Sequence, residues 1–421
     1  MKTKLLLAII SLVCFSGINA QNMKYAESVI TELSSEKYDG RGYYKKGDVK
    51  AAAYIRNEFK RMGLKSWGSF YQAFSFSVNT FPGDMKVEVD GKELRAGYDF
   101  VVREFCEGFS GTYNIFRIDT TGSASDAISE MMKLDTAKLF VAVEYYFLVR
   151  HPEFSREIQK TGISKFMFIF DEPLKWYVAG SGKIYPTKQI WITDRALGKT
   201  PKQFTAEIEN RFIKKYKTNN VLAYIEGSQC PDSFYVFTAH LDHLGRHGKD
   251  VFYPGANDNA SGVAMLLNLA EYYSQPGNQP RYSIAFMAFA GEETGLNGSY
   301  HYVKNPKFPL SNILYLINYD MIADNCHKVY TEMSPEAASG YAHICELNKD
   351  ARWIPDFEVN ELSGNSDHFP FAEQHVPAVF FLDHGDAFRI YHTPMDTLND
   401  KSFTNFPGYF NMAVKFVNSY R

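Results

Sequence analysis

Four apolar runs in the C-terminal half of this chain stop at, or lead into, a residue able to hold a metal ion. Phe234 to Ala239 stops at His240, Ile284 to Ala290 leads to Glu292 and Glu293, and Ile313 to Tyr319 stops at Asp320. Val376 to Leu382 leads by a short loop to His392. Such runs read as buried strands, and from about residue 215 they alternate with helical patterns. Alternation of this kind predicts an α/β fold, a mixed but mostly parallel sheet flanked by helices. Ligands of open α/β sheets gather outside the carboxyl ends of the strands, where these side chains fall. Asp258 adds a further carboxylate, within Gly255-Ala-Asn-Asp-Asn-Ala-Ser-Gly262 and just ahead of a helix face made by Val263, Leu266, Leu267 and Ala270. Two imidazoles and three carboxylates gathered there would hold two divalent cations with one carboxylate shared, an arrangement that activates water.

The chain has 421 residues, which favours one large domain with a smaller one. Val49 to Met62 predicts a helix with Ala51, Ile55, Phe59 and Met62 on one face, a C-cap at Gly63, and a turn before it at Asp39-Gly-Arg-Gly42. Between residues 76 and 205 the texture changes to short strand-like stretches with a few helices, and no clustered acid or histidine motif occurs there. The expected organisation is a main domain over 21–75 and 206–421 with a smaller β-rich insert over 76–205.

Residues 1–20 read as a secretory signal peptide, with Lys2 and Lys4 before the apolar stretch Leu5 to Phe15 and a small residue, Ala20, at the cleavage point. That stretch is shorter than the roughly 20 apolar residues a membrane-spanning helix needs. The expected location is therefore periplasmic or extracellular, with no membrane anchor after cleavage. The net charge of −3 comes without any basic run, which gives nucleic acid no binding patch. Cys106, Cys230, Cys326 and Cys345 remain after cleavage and could form up to two disulfides or stay free, with Cys326 and Cys345 the pair nearest in sequence.

Each candidate has an ordinary alternative. Asp258 suits a helix N-cap. Asp320 could pair with a distant Arg or Lys, and His392 could be a loop histidine. Asp242, two residues beyond His240, is expected to accept a hydrogen bond from the far ring nitrogen of a metal-bound imidazole. Glu292 and Glu293 should face opposite ways, one on a metal and the other above it. His243 and His247 read as loop residues, with His243 also able to line a cleft. Ser366-Asp-His368 holds triad residue types but as neighbours, which triads are not.

In order and wording these motifs, together with Asp39-Gly-Arg-Gly42, Ser366-Asp-His-Phe369 and Tyr391-His-Thr-Pro394, resemble the two-zinc exopeptidase family of bacterial leucyl aminopeptidase and glutamate carboxypeptidase. The 76–205 region resembles, more loosely, a protease-associated domain. The resemblance implies two zinc ions per chain: His240, Asp258 and Asp320 on one, and Asp258, Glu293 and His392 on the other. It also implies Glu292 as general base, Asp242 as the residue orienting His240, and peptides as substrates. The implied activity is that of an aminopeptidase. A carboxypeptidase, with Arg389 as the nearby cation for a substrate carboxylate, and a glutaminyl cyclase-like acyltransferase are the alternatives within the fold.

Overall fold

The computed structural model describes residues 21–420 except 122, 123, 172, 179 and 181, so the expected signal peptide lies outside the described residues. The strands that carry the candidate site belong to one eight-stranded sheet. In chain order they are β1 (Tyr71–Thr80), β2 (Arg211–Ile225), β3 (Cys230–His240), β4 (Tyr282–Phe289), β5 (Ile313–Tyr319), β6 (Lys328–Met333), β7 (Asp356–Val359) and β8 (Ala378–Asp383). Their order across the sheet is β1-β2-β4-β3-β5-β8-β6-β7. The centre, β4-β3-β5-β8, is parallel, whereas β1, β2 and β6 pair antiparallel to their inner neighbours. The fold is therefore the mixed, mostly parallel α/β class, with helices on both faces.

The alternation of side chains along each strand divides the core in two. Phe237, Phe286, Ile317 and Phe381 point to the face covered by helices Met23–Leu33, Gly47–Arg61, Gly262–Ser274, Ala338–Ala351 and Phe406–Ser419. Val236, Met287, Leu316 and Ala378 point to the other, where Tyr302 and Phe371 of two short helices pack. Central strands buried on both faces need continuous apolar sequence, which is why these runs stood out. Helix Gly47–Arg61 buries Ala51, Ile55 and Phe59 as the spacing predicts, and Gly63 at φ +75° ends it, with Leu64 N–H returning to Phe59 O.

A second eight-stranded sheet is built from strands between Met85 and Ile208. Its core residues Phe100, Val102 and Trp176 form one apolar cluster with Tyr43, Leu244 and Tyr253 of the main-sheet side. The chain passes between the sheets along a ribbon in which β1 and β2 pair from Tyr71↔Val221 to Thr80↔Arg211. Residue 76 lies inside β1, and residue 205 inside the strand Gln203–Ile208, so neither change of sequence texture coincides with a linker. Among the described residues no helix is long and apolar enough to cross a membrane.

Candidate metal centre

Parallel strands aligned in one sheet bring their carboxyl ends to one edge, and this collects the candidates. His240 is the last residue of β3, Asp320 follows β5 directly, and Glu292 and Glu293 follow β4 across Ala290 and Gly291. Asp258 comes from the loop between β3 and helix Gly262–Ser274, and His392 from the loop after β8. His240 Nε2 stands 3.2 Å from Asp258 Oδ1 and 3.2 Å from Asp320 Oδ1. His392 Nε2 stands 3.1 Å from Asp258 Oδ2 and 3.1 Å from Glu293 Oε2. Asp258 thus turns one oxygen to each histidine.

The loop that carries Asp258 is held from two sides. Asp396 accepts the backbone N–H groups of Asn257 and Asp258. Arg41, fully buried, donates to the carbonyls of Leu33, Pro254, Gly255 and Asp258. Gly255, at φ +60°, admits this close approach, because a Cβ there would lie 2.2 Å from Asp258 O and 2.6 Å from Arg41 Nη2. Helix Gly262–Ser274 takes no side-chain cap from Asp258, so the N-cap alternative fails. Asp320 Oδ2 accepts from Ser366 Oγ at 2.7 Å, and Ser366 in turn accepts from Asn318 Nδ2. Ser366, Asp367 and His368 form no triad, since Asp367 accepts from Ser299 Oγ while His368 sits against Glu332. His392 has Tyr391 stacked on it at 3.7 Å and Tyr177 edge-on at 4.8 Å, and its carbonyl accepts from Trp176 N–H. Tyr177 also lines a 580 Å³ cleft with Tyr145, Tyr146, Phe170 and Trp191, where Lys175 and Arg389 supply positive charge.

Two expectations need correction, and the open question of the cysteines is answered. His240 Nδ1 is 3.2 Å from the backbone carbonyl of Asp242, not from its carboxylate. The Asp242 carboxylate instead accepts from Tyr43 Oη at 2.5 Å and from the N–H groups of Glu292 and Glu293. At the end of β3 the chain turns, so the two-residue alternation that would have aligned the side chains is lost. His243 is no loop bystander: buried, it places Nδ1 2.7 Å from Glu293 Oε1. The cysteines Cys106, Cys230, Cys326 and Cys345 are all free, with Cys326 Sγ engaged by Asp383 and Asn405 Nδ2. Arg41, Tyr43 and Asp396 had no local signal beyond the Asp-Gly-Arg-Gly and His-Thr-Pro-Met-Asp contexts.

Burial and mutual repulsion split the two glutamates. Burial, with Glu293 and Asp320 close by, pushes the Glu292 carboxyl well above the usual range, and only His240 opposes this. Burial acts the same way on Glu293, but His392 and a hydrogen bond from His243 overcome it and bring the pKa down to about 2. For His392, burial lowers the pKa, yet Glu293 and Asp258 raise it to about 9. Buried carboxylates in such number are costly without compensating positive charge. Asp258 Oδ2 and His392 Nε2 stand 3.1 Å apart without making a hydrogen bond, which is the spacing of two ligands of one cation. His243, Asp258, Glu293 and His392 form one group able to hold a cation, and His240, Glu292 and Asp320 another. Nitrogen and oxygen donors without cysteine fit zinc.

An open α/β sheet with this cluster at its central strand ends defines a protein of the zinc exopeptidase-like fold class. Residues 220–416 match the family described as Peptidase family M28. Over 206 residues it is 31% identical to Aminopeptidase YwaD of Bacillus subtilis, a match covering 47% of this chain and 41% of that protein. It is also 32% identical over 236 residues to a probable zinc metalloprotease of Pyrenophora teres f. teres, covering 47% of this chain and 48% of the relative. The chain thus spans less than half the length of these curated relatives. Two solved structures share the fold. The Peptidase M28 precursor from Shewanella amazonensis has a TM-score of 0.69 at 16% identity, covering 94% of each chain. BSAP, a zinc aminopeptidase from Bacillus subtilis, has a TM-score of 0.68 at 18% identity, covering 93% of this chain and 94% of its own.

Proposed function

We propose that this chain is an exported zinc-dependent aminopeptidase that removes N-terminal residues from peptides. His240, Asp258 and Asp320 would hold one zinc ion, and Asp258, Glu293 and His392 a second. The observation that carries this reading is the division of Asp258, with Oδ1 at His240 and Oδ2 at His392. When bound, the ion pair supplies Lewis acidity that lowers the pKa of a shared water and polarises the scissile carbonyl.

The chain's own residues supply the rest. Glu292, partly exposed and beside His240 and Asp320, takes the proton from water and returns it to the leaving amine. Glu293 has Oε1 at His243 and Oε2 at His392, which suits a permanent ligand. Asp242 fixes the Glu292–Glu293 backbone and so keeps the two roles apart. The carboxylates left around the cluster favour a substrate α-ammonium group. The aromatic cleft beyond Tyr177 would take an apolar side chain. Lys175 and Arg389 in that cleft favour a second reading, a carboxypeptidase that grips a terminal carboxylate.

One peptide with a free N-terminus, acetylated, and amidated at the C-terminus separates the two readings. Acetylation should stop cleavage and amidation should not. Release of C-terminal residues from the acetylated peptide would overturn the aminopeptidase reading.

A further inference from the structure

The contacts of the cluster fall into two kinds. Those of His240 and His392 with the carboxylates are 3.1 to 3.2 Å long. Donors bound to one cation at about 2.0–2.2 Å stand roughly 3–3.5 Å apart, so these have the spacing of shared ligands. His243 is different. Its Nδ1 lies 2.7 Å from Glu293 Oε1 and 3.5 Å from Asp258 Oδ2. The shorter of these is the length of a direct charge-assisted hydrogen bond. It goes to Oε1, whereas His392 faces Oε2 of the same carboxylate.

The imidazole is fixed for this task. His243 is fully buried, and its backbone N–H donates to Arg41 O at 3.3 Å. Its Cδ2 lies where a Cβ on Gly255 would come within 2.5 Å, so the ring is wedged against the loop that carries Asp258. Among the described residues Nε2 has no hydrogen-bond partner, which leaves Nδ1 as the working atom. The preceding residue, Asp242, accepts the N–H groups of Glu292 and Glu293. One short segment therefore grips the glutamate pair twice, at its backbone and at one side-chain oxygen.

We infer that His243 is a positioning residue that engages Glu293 Oε1 and leaves Oε2 alone to bind the ion on the His392 side. The inference rests on the two-ion reading above. Two adjacent glutamates at one strand end could otherwise exchange roles, or Glu293 could bind through both oxygens. Partners of this kind, one step removed from the metal, typically change its affinity by about 10–100-fold.

The test uses the full chain loaded with Co2+ and titrated with a chelator, with release followed by the cobalt absorption bands. Wild type should release two ions in separable steps. His243→Leu keeps most of the ring's volume and removes the donor; it should weaken one ion by about 10–100-fold, alter its absorption bands and leave the other ion unchanged. His243→Asn, whose Nδ2–H can stand in for the Nδ1–H, should restore the affinity to within a few-fold. Circular dichroism checks each fold, and His243→Ala replaces His243→Leu if the latter does not fold. Two wild-type-like release steps in His243→Leu, or a His243→Asn no better than His243→Leu, would overturn the inference alone. Wild type that holds a single Co2+ would overturn the two-ion reading together with it.

Discussion

Acidification should weaken the fold through His247, and the loss can be worked from its surroundings. The ring is fully buried at the junction of the two sheets, 4.7 Å from the Trp176 ring, 6.0 Å from Phe100 and 6.2 Å from Phe81 between centroids. Its Nε2 accepts the Val102 N–H at 3.1 Å, so the imidazole must be neutral, because a protonated ring would turn a donor toward a donor. Burial without any charged partner lowers its pKa from 6.5 to about 3. In the unfolded chain the same group titrates near 6.5. The folded state then binds fewer protons between these values, so the stability is present above pH 6.5 and is lost as the pH falls toward 3. Each pH unit costs about 1.4 kcal/mol, which makes the loss about 2.7 kcal/mol at pH 4.5 and nearly 5 kcal/mol once the folded form also protonates. Urea unfolding of wild type and His247→Gln at pH 7.5 and 4.5 measures it. The glutamine keeps an acceptor for Val102 without titrating, and taking the difference of differences cancels the carboxylates and any metal release common to both. A His247→Gln chain that loses as much stability on acidification as wild type would refute the argument.

Glu292→Gln should retain the metal and lose turnover by about 10²–10⁴-fold or more, because one group serves both proton steps. Glu293→Gln should lower zinc content after dialysis, and the reverse pattern would exchange the assigned roles. All four cysteines of the described chain should react with a thiol reagent after denaturation without reductant, since none is bridged. Mobility on a non-reducing gel that shifts with reductant would contradict this.

The sequence alone determined the strands and what terminates them. His240 and Asp320 stand out because a central strand buried on both faces tolerates no charge along its length, only at its end. The same reasoning exposed Glu292 and Glu293 beyond β4. Asp258 was ambiguous, since Asp before a helix is ordinary, and only the fold gave one of its oxygens to His240 and the other to His392. The Asp242 carboxylate went to Tyr43 and the glutamate backbone because the chain turns after β3, a bend that residue spacing does not record. His243 and His247 read alike as loop histidines, yet one meets Glu293 and the other an aromatic pocket and the Val102 N–H. Arg41 is the extreme case, reaching carbonyls more than 200 positions away in the chain. Periodicity reports what a residue does within its own element. The partner of a buried polar group is set by which elements the sheet order brings together, and that order is a property of the packed molecule.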